Sequence, residues 1–248
     1  MSGHSKWATI KHAKAKTDAA RGKTFTKIIR EITTAAKIGG ADAGGNPRLR
    51  LAIEKAKEAN MPNDNIKRAV EKGTGGGGTV LEEITYEGYG PGGVALIIEV
   101  MTDNKNRALG EVRNILERHG GNLGASGSVA WIFKKKGSIT FNMSGVDEEK
   151  LTMAAIDAGA EDVLSEESVY EVVTTPENFI KVRDALKAQG LNPLNAEVTM
   201  VPANTVKLEG EDAQKVLKLV NLLEELDDVQ SVHANFDIPD AVLEQLSK

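Results

Sequence analysis

The stretch Thr74-Gly75-Gly76-Gly77-Gly78-Thr79 divides this chain into two parts that differ in periodicity and in charge. Four consecutive glycines are too permissive to sit inside a helix or a strand, because none carries the Cβ that restricts the backbone. The run reads as a hinge. Before it, apolar residues recur at helical spacing; after it, strand and helix patterns alternate.

Working upstream, Pro62 can open a short helix with Ile66, Ala69 and Val70 on its inner face, closed by Gly73. Asn46-Pro47 supplies a capping side chain followed by proline at the first helical position, and Leu49, Ala52, Ile53 and Ala56 form the stripe of a second helix ending near Asn60. Thr24 to Ile38 predicts a third, with Phe25, Ile28, Ile29, Ile32, Ala35 and Ala36 on one face, stopped by Gly39-Gly40. Lys23, Lys27, Arg30 and Lys37 fall in a narrow arc opposite that face. These segments make a three-helix bundle of modest stability.

Downstream, Val94 to Met101 predicts a buried strand, Asn106 to His119 a helix and Ser128 to Lys134 another strand. Ser138 to Met143, Asp147 to Ala158, Val169 to Thr174, Pro176 to Gln189 and Ala196 to Val201 then alternate strand and helix, with Asp162 to Leu164 able to pair as a hairpin with the strand after it. Thr205 to Leu208, the helix Glu211 to Leu226 and the strand Gln230 to Asn235 form a last β-α-β. The first and last β-α-β each lack half of a ferredoxin-like unit, and joined they complete one. The predicted fold class is α+β: an N-terminal three-helix bundle (1–78), a discontinuous ferredoxin-like domain (79–135 plus 203–240) and an inserted second α+β domain (136–202).

The net charge of −5 conceals a strong asymmetry. Residues 1–80 hold 16 Lys/Arg and 7 Asp/Glu, a balance of +9; residues 81–248 hold the other 15 and 29, a balance of −14. A cationic end joined to an anionic remainder points to a polyanionic partner for the first part. The 40% hydrophobic and 27% charged content fits a globular chain, and no apolar run approaches the roughly 20 residues of a membrane span. Membrane insertion is not expected. The absence of cysteine excludes disulfides and thiolate chemistry and fits a cytoplasmic setting. Met1 to Lys16 has no apolar signal region, although the Lys- and Ser/Thr-rich, acid-poor composition of residues 1–37 is one that mitochondrial presequences share.

The candidate binding set is Lys6, Lys11, Lys14, Lys16, Arg21, Lys23, Lys27 and Arg30, interleaved with Trp7 and His12 and joined by Arg48 and Arg50. Arg and Lys neutralise phosphates, and interleaved aromatic rings can stack on bases. A charged run is often only a solvated face, but Lys55, Lys57, Lys67, Arg68 and Lys72 extend this one across all three helices. Thr17 to Thr24 nearly matches a phosphate-binding loop, yet Thr17 replaces its first glycine and no buried strand precedes it. Gly88, Gly90, Gly92 and Gly93 precede a strand where a dinucleotide site needs them after one; they predict a tight loop carrying Tyr86 and Tyr89 to the surface. His4, His12, His119 and His233 have no partners at metal-ligand spacing. No catalytic residue, metal or cofactor is expected, and the chain does not read as an enzyme.

Several longer stretches, Gly3-His4-Ser5-Lys6-Trp7, Arg21-Gly22-Lys23, Asn46-Pro47-Arg48-Leu49-Arg50, Asn60-Met61-Pro62 and Lys72-Gly73-Thr74-Gly75, closely resemble the YebC family. Tyr86-Glu87-Gly88-Tyr89-Gly90-Pro91-Gly92-Gly93, Thr102-Asp103-Asn104-Lys105-Asn106-Arg107 and Gly127-Ser128-Val129 extend the resemblance along the whole chain. It implies a three-domain cytoplasmic protein that binds DNA and regulates transcription. It also implies an alternative, since the mitochondrial relative is a translational activator of cytochrome oxidase subunit one and bacterial relatives are linked to translation: an RNA- or ribosome-bound factor. The family-like motif starts at Gly3, leaving little room for a presequence and favouring the bacterial form. No recognition helix or RNA-recognition consensus separates DNA from RNA.

Overall fold

The computed structural model describes residues 18–75, 81–166, 169–239 and 242. Among the described residues three helices come first: α1 (Asp18–Gly39), α2 (Pro47–Glu58) and α3 (Asn63–Thr74). α1 begins six residues before Thr24, so Arg21-Gly22-Lys23-Thr24 lies within a helix and offers no phosphate-cradling loop. Asn46 joins α1 to α2. Its buried side-chain oxygen accepts from Leu49 N at 3.1 Å, while its amide donates to Ala35 O at 2.8 Å and Gly40 O at 3.0 Å. One residue thus satisfies orphan groups at both helix ends. α3 crosses α1 at Gly73, where a Cβ would stand 2.5 Å from Thr33 O and 3.2 Å from Lys37 N. The core between them is small, built from Ile32, Leu49, Met61 and Ile66 with five alanines.

The first sheet contains β1 (Glu82–Tyr89), β2 (Ala95–Thr102), β3 (Asn122–Leu123) and β9 (Val229–Ala234), in the antiparallel order β3-β1-β2-β9. Leu96, Ile98 and Val100 of β2 pack with Val112 and Leu116 of α4 (Lys105–Arg118) and Val216, Val220 and Leu223 of α7 (Gly210–Glu224). The other side of β2 presents Ala95 and Ile97 to Val129, Ile132 and Phe133. The spatial order is ferredoxin-like, but the chain runs β-β-α-β before leaving and α-β on returning.

Two expectations are corrected here. Glu82 to Tyr89 is a strand, paired along its length with β2, where the glycines had predicted a surface loop. Gly88 serves close packing, since a Cβ there would meet Asn122 O at 2.8 Å. Residues 128–134 are not one strand: a turn leads into a 3-10 turn (Ala130–Ile132), and only then does β4 (Phe133–Asn142) begin, absorbing the separate strand predicted at Ser138. The cause is distant, because carboxylate contacts from Glu87 occupy the amides of Gly127, Val129 and Ala130.

The second sheet comprises β4, β5 (Asp162–Glu166), β6 (Val169–Thr174) and β7 (Asn195–Pro202), ordered β5-β6-β4-β7 and antiparallel throughout. With α5 (Glu148–Ala158) and α6 (Phe179–Ala188) it has the full β-α-β-β-α-β connectivity of a ferredoxin-like unit, including the hairpin predicted from Asp162. Ile139, Phe141, Leu151, Val172, Phe179, Val182 and Leu186 fill its core. The chain returns beside its exit point: Phe133 pairs with Pro202, and Ala203 N donates to Ile132 O at 2.7 Å. Short strands β8 (Val206–Lys207) and β10 (Phe236–Asp237) then pair in parallel beside the first sheet, so the segment at Thr205 does not enter the main ladder as predicted.

Candidate nucleic-acid interface

Of the predicted binding residues, Lys6, Trp7, Lys11, His12, Lys14 and Lys16 lie outside the described residues, and Arg21 is described only as part of α1. Lys23 faces solvent. Lys27, Arg30 and Arg48 have intramolecular partners. Lys27 Nζ donates to Glu224 O at 2.8 Å, at the end of α7. Arg30 Nη1 donates to Met101 O at 2.9 Å and to Asp228 Oδ1 at 2.6 Å. Arg48 bridges Glu31 of α1 (2.7 Å) and Glu83 of β1. Arg50 is half-buried, with its Nε enclosed and unmatched by any acceptor among the described residues. The middle of the cationic arc on α1 therefore docks the helices onto the first sheet, while its ends, Lys23 and Lys37, remain exposed.

Asp228 organises that junction. Besides Arg30, its carboxylate accepts from Arg107 Nη2 at 2.7 Å and Thr102 Oγ1 at 2.8 Å. Burial pushes its pKa up, but the bonds from Arg107, Arg30 and Thr102 outweigh it and hold the carboxyl below its ordinary value. The Thr102–Arg107 motif thus supplies a junction and the cap of α4, where Asn104 accepts from Arg107 N at 3.1 Å. On the other flank, α2 meets the second sheet's unit through Glu54–Arg183 (2.5 Å) and Lys55–Glu197 (3.9 Å). The helical unit is held by both of its neighbours. Lys23, Lys37, Lys57, Lys67, Arg68 and Lys72 stay on the solvent side. Gly73, next to Lys72, lies against the backbone of Thr33 and Lys37 where α1 and α3 cross.

The two motifs around Glu87 and Gly127 meet in space. The buried Glu87 carboxylate accepts from Gly127 N (2.6 Å), Val129 N (2.7 Å) and Ala130 N (2.7 Å). Burial opposes its charge, yet the three amides prevail and lower its pKa. Tyr89 donates to Ser128 O at 3.2 Å, and Tyr86 reaches Lys105 O at 3.4 Å, so both rings brace the sheet. Among the described residues the exposed aromatic is Trp131, two residues beyond Val129, which the sequence reading passed over.

A second polar cluster joins the two sheets. His233 Nε2 lies 3.3 Å from Glu99 Oε2 and 3.1 Å from Ser231 Oγ, and Nδ1 lies 3.3 Å from Thr199 Oγ1 on β7. The hydrogen bond with His233 is the largest cause holding the Glu99 carboxyl down to about 2, against the opposing effect of burial. Serine and carboxylate face the same ring nitrogen, whereas a nucleophilic relay needs them on opposite nitrogens. Among the described residues no group of three His, Cys, Asp or Glu is placed to hold a metal, and no helix is long and apolar enough to cross a membrane.

These features define a class: a basic helical unit docked by ion pairs on two ferredoxin-like sheets. Family models for the TACO1/YebC protein N-terminal domain match residues 5–76, and those for the TACO1/YebC second and third domain match 81–236. The chain belongs to the TACO1/YebC family. It is 57% identical over 249 residues to a "Probable transcriptional regulatory protein" of Syntrophus aciditrophicus, covering 100% of both chains. A Geotalea uraniireducens protein of the same name is 58% identical, over 99% of this chain and 100% of that one. The crystal structure of a conserved hypothetical protein from Aquifex aeolicus superposes with a TM-score of 0.82 at 52% identity, covering 91% of this chain and 94% of that one. The two sequence relatives are named as transcriptional regulators.

Proposed function

We propose that this chain is a non-catalytic, cytoplasmic regulator of transcription that binds DNA phosphates through its N-terminal domain. The domains would be 1–78, 79–135 with 203–240, and 136–202. Contacts are assigned to Lys6, Lys11, Lys14, Lys16, Arg21, Lys23 and Lys37, with Trp7 and His12 between the first of them in sequence, and to the exposed cations of α2 and α3. The observation that carries this reading is the +9 balance of residues 1–80, whose solvent-side cations remain after the sheets have engaged Lys27, Arg30 and Arg48. The relatives' names support a role in regulating transcription.

A specific observation favours a second target, structured RNA on the ribosome in a translational role. The cationic arc of α1 is partly occupied by Asp228 and Glu224, so the helix is not free to lie in a DNA major groove along that face. Crosslinking in cells followed by sequencing of the recovered nucleic acid tests the proposal. Promoter DNA supports the first target and ribosomal RNA the second; recovery of neither overturns both.

A further inference from the structure

Trp131 is 72% exposed, yet its surroundings are among the most constrained in the chain. Its indole N–H donates to Ser128 O at 3.1 Å, and the Tyr89 hydroxyl donates to the same oxygen at 3.2 Å. The turn carrying it hangs on the Glu87 carboxylate by three backbone bonds. Val129, Ile132 and Phe133, on either side of Trp131, are buried against Ala95 and Ile97 of β2. The backbone is therefore fixed on both sides of a ring whose large apolar surface is left in water.

Leaving an indole exposed forgoes the stabilisation that burying its area would give, and fixing it removes rotamer freedom in advance. Both are what a preorganised stacking platform requires, since the ordering cost is met before the ligand arrives. Exposed Lys134 and Lys135 follow, at most about 14 Å along the chain. Lys134 has no ion pair among the described residues, whereas Lys136 is taken by Glu161 at 2.6 Å. An aromatic face with a free cation close along the chain is the arrangement that holds unpaired nucleotides, with the ring under a base and a lysine on a phosphate; Lys135, on the opposite face of β4, is drawn to Glu99.

We propose that Trp131 is a stacking platform for an unpaired base of a single-stranded nucleic acid, with Lys134 on the adjoining phosphate. This second contact surface, at the junction of the two sheets, rests on the nucleic-acid-binding reading above. It adds a preference for splayed bases that the helical cations alone would not give.

The chain has two tryptophans, Trp7 and Trp131, so the emission lost between the full-length chain and its Trp131→Phe variant reports Trp131. Titration with an unstructured oligonucleotide at physiological salt should quench its emission, and a blunt duplex of equal length should not. Trp131→Ala should weaken oligonucleotide binding about 5- to 150-fold, Trp131→Phe should retain most of the affinity, and Lys134→Ala should flatten the salt slope by about 0.7 units. Folding should survive Trp131→Ala, because Ser128 O keeps the Tyr89 donor. Oligonucleotide binding without quenching, and with Trp131→Ala unchanged, would overturn the platform while leaving binding by the helices intact. Absence of binding to any nucleic acid would overturn both readings. Quenching that depends on protein concentration alone would assign the face to a second copy and overturn the platform.

Discussion

Replacing Asp228 with Asn should loosen the helical unit from the first sheet more than removing the arginine that meets it. The Asp228 side chain is 5% exposed and that of Arg30 20%, so Asn would leave a largely enclosed guanidinium without its counter-charge. Breaking a buried pair from one side costs about 3–5 kcal/mol. Arg30 keeps the Met101 carbonyl, and Arg107, more exposed, keeps Asp103 at 2.7 Å, which places the loss near the lower bound, about 3 kcal/mol. For a chain of this size that corresponds to a Tm lower by about 6–12 °C. Arg30→Ala leaves Asp228 paired with Arg107 and Thr102 and should cost only about 1 kcal/mol. Urea and thermal unfolding of both single variants and the double variant give the coupling directly. A loss from Arg30→Ala equal to that from Asp228→Asn, or losses below about 0.5 kcal/mol in both, would refute the assignment of Asp228 as the organising charge.

Asn46→Ala should cost about 2–4 kcal/mol, because it removes the α2 cap and leaves Ala35 O and Gly40 O without their donor; denaturant midpoints measure it. Acid should destabilise the fold in a defined direction. Asp228 and Glu99 have folded pKa values below their unfolded ones, so their contribution is complete above about pH 4.5 and is lost as pH falls through their folded values, about 2 for Glu99; urea midpoints from pH 7 to pH 2 follow it, and Asp228→Asn should flatten the drop. Excising residues 134–201 and joining Phe133 to Pro202 by a two-residue turn should leave a cooperatively melting first sheet, because antiparallel partners sit about 5 Å apart. Aggregation or non-cooperative melting of that product would count against treating the second sheet as an insertion.

Local rules made part of this structure legible. Asn46-Pro47 announced the start of α2 and Gly39-Gly40 the end of α1, because capping and left-handed backbone are decided by neighbouring residues. The Asp162 hairpin was visible for the same reason. The strand Glu82–Tyr89 was hidden, since its glycines signal a loop locally and their purpose, close approach to Asn122, lies across the sheet. β4 looked like two strands because Lys134-Lys135-Lys136-Gly137 interrupts its apolar pattern; Gly137 makes room for Phe179, where a Cβ would stand 2.8 Å from the ring. The cationic arc was legible, but a stripe that meets phosphate and one that meets Asp228 read alike in sequence. Trp131 was missed although a signal existed: a tryptophan close behind Gly127-Ser128-Val129 and just ahead of a lysine run.

The central claim is that nucleic-acid affinity resides in the outward cations of the helical unit. Its most direct test compares the salt dependence of duplex-DNA binding by the full chain with that of a Lys23→Ala/Lys37→Ala/Lys72→Ala variant. The account predicts weaker binding to every sequence alike and a slope of log K against log[salt] flatter by up to about 2.7, or 0.9 per lost phosphate contact, with the melting temperature unchanged. An unchanged slope and affinity in a folded variant would contradict it.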